Sequence, residues 1–158
     1  VPGISAAQGA AAATGIPLTH RDHAAMLVFA TGHLQGEEGE RTVALDWAAL
    51  ARPHQTVVIY MGVGTLPIIC TQLIAHGLPA STPAAMIERA TLPGQRSIVG
   101  TLQTLPQLSV AYGVNPPALV MIGDTVALHA RIGSSAEVLT GFPAVVDAAS
   151  PQALACTA

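Results

Sequence analysis

The chain has 158 residues, of which 51% are hydrophobic and 9% are charged, and its formal net charge is −3 at pH 7. This length suffices for one domain with its own hydrophobic core. The six basic residues are all arginines scattered along the sequence, so the chain has no basic face of the kind that binds nucleic acid.

The predicted elements alternate between helices and strands. A turn with Pro2 and Gly3 leads to Ser5, a favourable N-cap, and an Ala-rich helix follows to Thr14, where Gly15 ends it. Short apolar runs predict the strands, and capping and breaking residues predict the other helices. The expected strands are Met26–Ala30, Gln55–Tyr60, Ala84–Thr91, Ser97–Leu102 and Ala118–Ile122, and the expected helices are Asp46–Ala51, Leu66–His76 and Leu102–Tyr112.

Two successive strands around Pro93 and Gly94 predict a hairpin, which makes the sheet mixed rather than purely parallel. We therefore expect an α/β domain over residues 1–128, with a mixed five-stranded sheet and flanking helices. The Gly- and Glu-rich segment 36–41 is expected to be a mobile surface loop. Residues 129–158 are expected to form an irregular or poorly ordered tail.

One stretch, residues 55–75, carries no formal charge and is long enough to span a bilayer. Gly62 and Gly64 interrupt it after a β-branched run, so a buried strand followed by a buried helix is expected, with no membrane partner. The two cysteines, Cys70 and Cys156, have no metal-site spacing. Cys70 is expected to be a small hydrophobic core residue, and this cysteine usage predicts a cytoplasmic protein.

Polar groups occur at two places before residue 34. The backbone N–H groups at the helix start near Ser5 are suited to a carboxylate, a phosphate or a sugar hydroxyl. His20, His23 and His33 lie within 14 positions, but their spacing fits no common zinc site, so no metal is expected.

Several short motifs occur in a characteristic order: VPGISAA at 1–7, GIPLTHRD at 15–22, TGH at 31–33, YMG at 60–62, GTL at 100–102, and PAL at 117–119 with IG at 122–123. With these motifs the chain closely resembles the tetrapyrrole methylases from residue 1 to about residue 128. GIPLTHRD together with TGH and YMG points to the uroporphyrinogen-III C-methyltransferases more than to precorrin-methylating relatives.

The resemblance implies S-adenosyl-L-methionine as cofactor and S-adenosyl-L-homocysteine as product. The implied reaction transfers two methyl groups to uroporphyrinogen III, giving precorrin-2 for sirohaem and cobalamin biosynthesis. The resemblance also places part of the cofactor site on Ser5, Ala6, Met61 and Ala90. At position 90 relatives often carry Gly. Three of these residues also have a purely structural interpretation: Ser5 as an N-cap, Met61 as a core filler, and Ala90 as a packing residue.

The implied substrate carries eight carboxylates, and arginine is the natural bidentate partner of a carboxylate. Arg21 is therefore the first candidate for a substrate contact, together with Thr19 and His33. The alternative is that Arg21 pairs with Asp22 or Glu88 and only holds its loop in place.

Members of the family begin with another domain that carries a Gly/Pro-rich loop, a catalytic aspartate and a Gly-Asp loop. Nothing in this sequence matches those features, so we expect a C-terminal half without its N-terminal domain and assign it no catalytic residue. The low charge content and the resemblance both predict a homodimer, built through Leu66–His76 and Met26–Ala30. The alternatives are a precorrin methylase acting later in cobalamin synthesis and a noncatalytic dimerisation domain.

Overall fold

A six-stranded mixed sheet organises the computed structural model, which describes residues 3–35, 42–132 and 137–140. The strand order across the sheet is β1-β2-β5-β3-β4-β6. The strands are β1 (Met26–Thr31), β2 (Gln55–Tyr60), β3 (Pro83–Glu88), β4 (Arg96–Thr101), β5 (Ala118–Ile122) and β6 (Glu137–Thr140).

The strand directions determine where a ligand site can form. β1 is parallel to β2, and β5 is antiparallel to both β2 and β3. β3 and β4 form the expected antiparallel hairpin, and β4 is parallel to β6. The carboxyl ends of β1, β2 and β3 therefore meet the amino end of β5 at one end of the sheet, which we call the site edge.

Helices cover both faces of the sheet. Alternate residues of β2 face opposite sides, since Val57 and Ile59 belong to one hydrophobic cluster and Val58 to the other. The first cluster includes residues of α2, α3 and α4, and the second includes residues of α1 and the 3-10 helix. The helices are α1 (Ala6–Thr14), α2 (Trp47–Leu50), α3 (Leu66–Ala75), α4 (Leu105–Ala111) and α5 (His129–Ile132), with a 3-10 helix at Asp124–Leu128.

The first helix has the ends that its sequence predicts. The Ser5 hydroxyl accepts a hydrogen bond from the Gln8 N–H, and the Gln8 side chain accepts one from the Ser5 N–H. This reciprocal capping box satisfies two backbone donors. Gly15 ends the helix with a left-handed φ of 71°, a conformation that glycine adopts without a steric penalty.

The structure corrects the predicted count of five strands, because β6 adds a sixth strand beside β4. β6 and α5 both lie within 129–158, so the expectation of an irregular tail is wrong at those residues. The other residues of that tail, 133–136 and 141–158, lie outside the described residues, as does the predicted loop 36–41.

Two predicted boundaries also move. β3 ends at Glu88 rather than Thr91, because Arg89 and Thr91 have positive φ angles of 52° and 67° that break the strand. α4 begins at Leu105 rather than Leu102. A turn precedes it, in which the Thr101 N–H donates to Thr104 Oγ1 at 2.9 Å.

The uncharged stretch forms β2 and α3, as predicted, and both pack into the core. Within the described part of the chain, the helices are all too short or too polar to cross a bilayer. Cys70 is a buried free thiol, and burial raises its pKa to about 12, so it remains protonated. Cys156 lies outside the described residues.

Candidate functional site

A cavity of about 620 Å³ opens at the site edge, a volume in the range of small-molecule sites. Most of its surface is apolar, with polar groups at a few points. Its walls are formed by Ala6, His33, Tyr60, Met61, Val63, Gly64, Ile87, Arg89, Ala90, Leu92, Pro116, Pro117, Ala118 and Leu119.

Met61 occupies an unusual backbone position directly after β2. Its φ is 54°, in the left-handed region that side chains other than Asn and Asp seldom adopt. Its side chain is 63% exposed and contributes to the cavity wall. Met61 is therefore not a core filler, because its side chain lies at the cavity rather than in either hydrophobic cluster.

The start of α1 approaches the same wall. The Ala7 N–H donates to the Tyr60 hydroxyl at 3.2 Å, which joins the helix start to the end of β2. The Ala6 N–H has no acceptor among the described residues, and Ala6 lines the cavity. The Tyr60 ring also packs edge-on against Phe29, with centroids 6.1 Å apart. A helix-start N–H and a fixed tyrosine hydroxyl thus supply polar groups at an otherwise apolar wall.

Close packing between the ends of β1 and β2 positions His33. The Gly32 N–H donates to the Tyr60 carbonyl at 2.7 Å, and Thr65 Oγ1 donates to the Gly32 carbonyl at 2.6 Å. A Cβ at Gly32 would lie 3.0 Å from Gly62 Cα and 2.9 Å from a buried isoleucine methyl. Only glycine fits this contact, so His33 follows a tightly held residue into the cavity wall.

The opposite wall comes from the turn after β3 and from the residues before β5. Arg89 and Thr91, on either side of Ala90, both have left-handed backbone conformations. The Arg89 N–H donates to the Pro117 carbonyl at 2.9 Å, so the two segments touch through their backbones. Small and apolar residues at this wall leave room for a flat group to approach the backbone.

A buried carboxylate lies directly beneath this wall. Glu88 accepts hydrogen bonds from Arg96 Nε at 2.7 Å and from the Asn115 N–H at 3.0 Å. Burial raises the pKa of Glu88, but the Asn115 N–H, the Arg96 hydrogen bond and the charges of Arg96 and Arg89 outweigh it, so the net pKa is lowered. Glu88 is therefore ionised at neutral pH.

The guanidinium of Arg89 is the cation of the cavity wall. Its side chain is exposed, and within residues 3–35 and 42–132 no carboxylate lies at ion-pair distance from it. An anionic or electron-rich ligand group would find a positive charge there.

The cavity unites four of the seven sequence-predicted site residues: Ala6, His33, Met61 and Ala90. Ser5, Thr19 and Arg21 are not among its walls. The Ser5 hydroxyl is engaged in the helix cap, although its own proton remains available for donation.

Arg21 lies exposed at the tip of a turn closed by reciprocal backbone hydrogen bonds between His20 and Ala24, both 2.9 Å long. One proposed partner of Arg21 was Asp22. Asp22 Oδ2 instead lies 3.9 Å from His20 Nδ1. The other proposed partner, Glu88, pairs with Arg96 instead, so that alternative was wrong. Arg21 makes no ion pair with a described acidic residue.

The sequence prediction missed Tyr60 and Arg89. Tyr60 ends a buried strand just before a site residue, a signal that was present within the YMG motif. For Arg89, its position next to Ala90 was the available signal.

The site has the chemistry of a binding wall. Among the described residues, no three His, Cys, Asp or Glu side chains are grouped to hold a metal ion. His20 and His23 are neighbours, with ring centroids 4.9 Å apart, while His33 lines the cavity. The arrangement provides apolar surface for a flat ring, backbone donors, a hydroxyl and one cation.

The chain is similar to known proteins of one family. The family model for Tetrapyrrole (Corrin/Porphyrin) Methylases matches residues 1–106. A siroheme synthase from Nitrosomonas europaea is 52% identical over 132 residues, which cover 84% of this chain and 27% of that protein. The chain thus spans about 27% of the length of this curated relative.

Solved structures of methyltransferases are also similar to this chain. Uroporphyrin-III C-methyl transferase from Thermus thermophilus, complexed with S-adenyl homocysteine, has a TM-score of 0.63 and 33% identity, covering 81% of this chain and 51% of that one. A cobalt precorrin-4 methyltransferase has a TM-score of 0.66 at 21% identity, covering 80% and 52% of the two chains. The second likeness shows the shared fold alone.

Proposed function

The chain belongs to the tetrapyrrole methylases, and on that premise we propose that it forms one wall of the S-adenosylmethionine site in a uroporphyrinogen-III C-methyltransferase. The proposed reaction produces precorrin-2 on the route to sirohaem. The observation that carries the proposal is the cavity at the site edge, which brings Ala6, His33, Met61 and Ala90 together from four separate segments.

The cavity residues suit an adenosyl group. Ala90 leaves space for a flat base, and Met61 lines the cavity from a left-handed backbone position at the end of β2. The Ala6 N–H and the Tyr60 hydroxyl are available to a ribose or an adenine edge. When bound, S-adenosylmethionine supplies an electrophilic methyl group, and S-adenosylhomocysteine is the product.

The residues of this chain would bind and orient rather than move protons. Methyl transfer to a carbon nucleophile depends on alignment of the two reactants, and this wall provides a fixed surface for that purpose. We assign no catalytic base to this chain. We propose that a preceding domain supplies the base and the other wall of the cleft.

Arg21, Thr19 and His33 are the proposed contacts for the carboxylate-rich tetrapyrrole. His33 is in the cavity wall, and Arg21 is exposed with no carboxylate partner among the described residues. An exposed guanidinium of this kind can take a substrate carboxylate bidentately. Ser5 remains a proposed cofactor contact through its hydroxyl proton.

The siroheme synthase relative and the 33% identical uroporphyrin-III methyltransferase favour this substrate over a later precorrin. A homodimer in the cytoplasm also remains part of the proposal. For the dimer, β1 is the better of the two expected surfaces, because Met26 and Phe29 are about half exposed. α3 is less suitable, because Leu66, Ile69, Cys70 and Leu73 are buried in the chain's own core.

The proposal is tested by nuclear magnetic resonance titration of the isotope-labelled chain with S-adenosylhomocysteine, a method that detects weak binding. Amide shifts at Ala6, Met61 and Ala90 are expected, and ATP, which shares the adenosine group, is the control for specificity. Saturating shifts elsewhere, or none at millimolar ligand, would contradict the proposed site. Formation of precorrin-2 from uroporphyrinogen III by the complete enzyme tests the substrate.

A further inference from the structure

Beneath the cavity, one carboxylate joins two segments that are far apart in sequence. Glu88, the last residue of β3, is 6% exposed. One of its oxygens accepts from Arg96 on β4, and the other accepts from the Asn115 N–H, 27 residues away. Both oxygens therefore have charged or backbone donors, and each partner belongs to a different segment.

Arg96 extends the same network to the end of α4. Its Nη1 donates to the Tyr112 carbonyl at 3.0 Å, and its Nη2 lies 3.5 Å from the Gly113 carbonyl. Tyr112 is the C-cap residue of α4. Glu88 and Arg96 thus bind the segment 112–115 to the β3–β4 hairpin through both side chains.

The two joined segments continue directly into the same wall of the cavity, the one that faces Met61. Arg89 and Ala90 follow Glu88, and Pro116 and Pro117 follow Asn115. The separation of these segments determines the space available to a flat group beside Ala90. The hydrogen bond from the Arg89 N–H to the Pro117 carbonyl joins the segments a second time.

We propose that Glu88 is a positioning residue for the cofactor: by holding Asn115 and Arg96 it fixes the relative positions of the two segments that form this wall, and thereby sets the affinity for the adenosyl group. This inference rests on the proposed function. Glu88 itself does not line the cavity, so it acts through the backbone of the residues that do. The left-handed conformations of Arg89 and Thr91 need such a restraint, because they are intrinsically unfavourable.

The charges around Glu88 support this role. Arg96 approaches from β4, and Arg89 from the turn after β3. The segment 112–115 contributes the Asn115 N–H to Glu88, and Glu137 of β6 is the register partner of Arg96. A neutral amide at position 88 would keep the shape of the side chain, but its NH2 group cannot accept, so one of the two hydrogen bonds would be lost and the other weakened. It would also leave Arg96 without its counter-charge.

The test compares wild type with Glu88→Gln at neutral pH, at a temperature where both are folded. Backbone hydrogen exchange of Arg89 and Asn115 should accelerate by at least about tenfold in the variant. The dissociation constant for S-adenosylhomocysteine should rise by about the same factor, and the bound-state shift of Ala90 should change. Arg96→Lys, which keeps the charge but loses the fork, should give a smaller effect in the same direction.

The matched control is Asp124→Asn, which removes an exposed carboxylate from the opposite end of the sheet and should change neither measurement. If wild type binds the ligand and Glu88→Gln binds equally well, the positioning role is overturned while the proposed function stands. If wild type fails to bind, the proposed function is overturned and the positioning role with it. Should Glu88→Gln not fold, Arg96→Lys carries the same comparison, and unchanged affinity in it overturns the inference.

Discussion

Replacing Met61 with aspartate should damage cofactor binding without damaging the fold. Met61 is 63% exposed, so its side chain contributes little buried apolar area to stability. Its φ of 54° is unfavourable for methionine and is tolerated better by aspartate. The free energy of unfolding should therefore change by no more than about 0.5 kcal/mol, or rise slightly.

The binding penalty follows from desolvation. When an adenosyl group covers this wall, a carboxylate at position 61 loses water beside a mostly apolar surface. Leaving a polar group buried without a partner costs about 1–3 kcal/mol, and more for a charged group. Affinity for S-adenosylhomocysteine should fall at least about 5- to 150-fold.

The assay pairs urea unfolding with ligand titration on the same samples. Met61→Asn is the matched control, because asparagine has the shape of aspartate and tolerates a positive φ equally well but carries no charge. The asparagine variant should therefore lose less affinity than the aspartate variant. A sharp fall in unfolding free energy with unchanged affinity would refute the reasoning and make Met61 a structural residue.

Four other measurements follow from the same structure. Arg21→Lys in the complete enzyme should raise the KM for the tetrapyrrole more than the KM for the cofactor, because lysine lacks the bidentate fork; a KM for the tetrapyrrole unchanged from wild type would contradict a substrate contact at Arg21. The 158-residue chain alone should show no turnover of uroporphyrinogen III, and turnover at the rate of the complete enzyme would contradict this. The pKa of Glu88 lies below its ordinary value of 4.5, so its ionised form stabilises the fold above that pH and the contribution disappears as pH falls through the lowered pKa. Glu88→Gln should thus cost about 3 kcal/mol at pH 7, with a smaller difference from wild type in acid, and a pH-independent difference would refute it. Sedimentation should show that the wild-type chain is a dimer and that Phe29→Asp is a monomer. A wild-type monomer at micromolar concentration would exclude the proposed dimer.

Elements with strong local signals could be predicted from the sequence. The cap at Ser5 and the stop at Gly15 bound α1 as expected, and the β-branched run at 55–60 forms β2 with the predicted ends. The Pro93-Gly94 turn correctly predicted the antiparallel hairpin. In each case the local chemistry and the tertiary packing favour the same conformation.

Elements that depend on distant partners could not be predicted in this way. β6 has only four residues, and it is a strand because β4 offers a free edge for parallel pairing. Its sequence carries too short a pattern to distinguish a strand from a loop. Similarly, Glu88 has two sequence-distant partners, and only the hairpin register and the position of Asn115 reveal them.

The cavity shows the same distinction at the level of backbone conformation. Met61, Arg89 and Thr91 are three of the four non-glycine residues with positive φ in the described part of the chain, and all three lie at or beside the cavity. Their residue types do not predict a left-handed conformation, for which glycine or asparagine is typical. Each such residue costs of order 1–3 kcal/mol and persists only where its surroundings enforce it. The enforcing contacts are visible: Gly32 against Gly62 behind Met61, and the Glu88 network beneath Arg89. The fold thus concentrates unfavourable backbone on the two walls that would hold the cofactor, which is the arrangement expected if a fixed wall geometry matters more there than local stability.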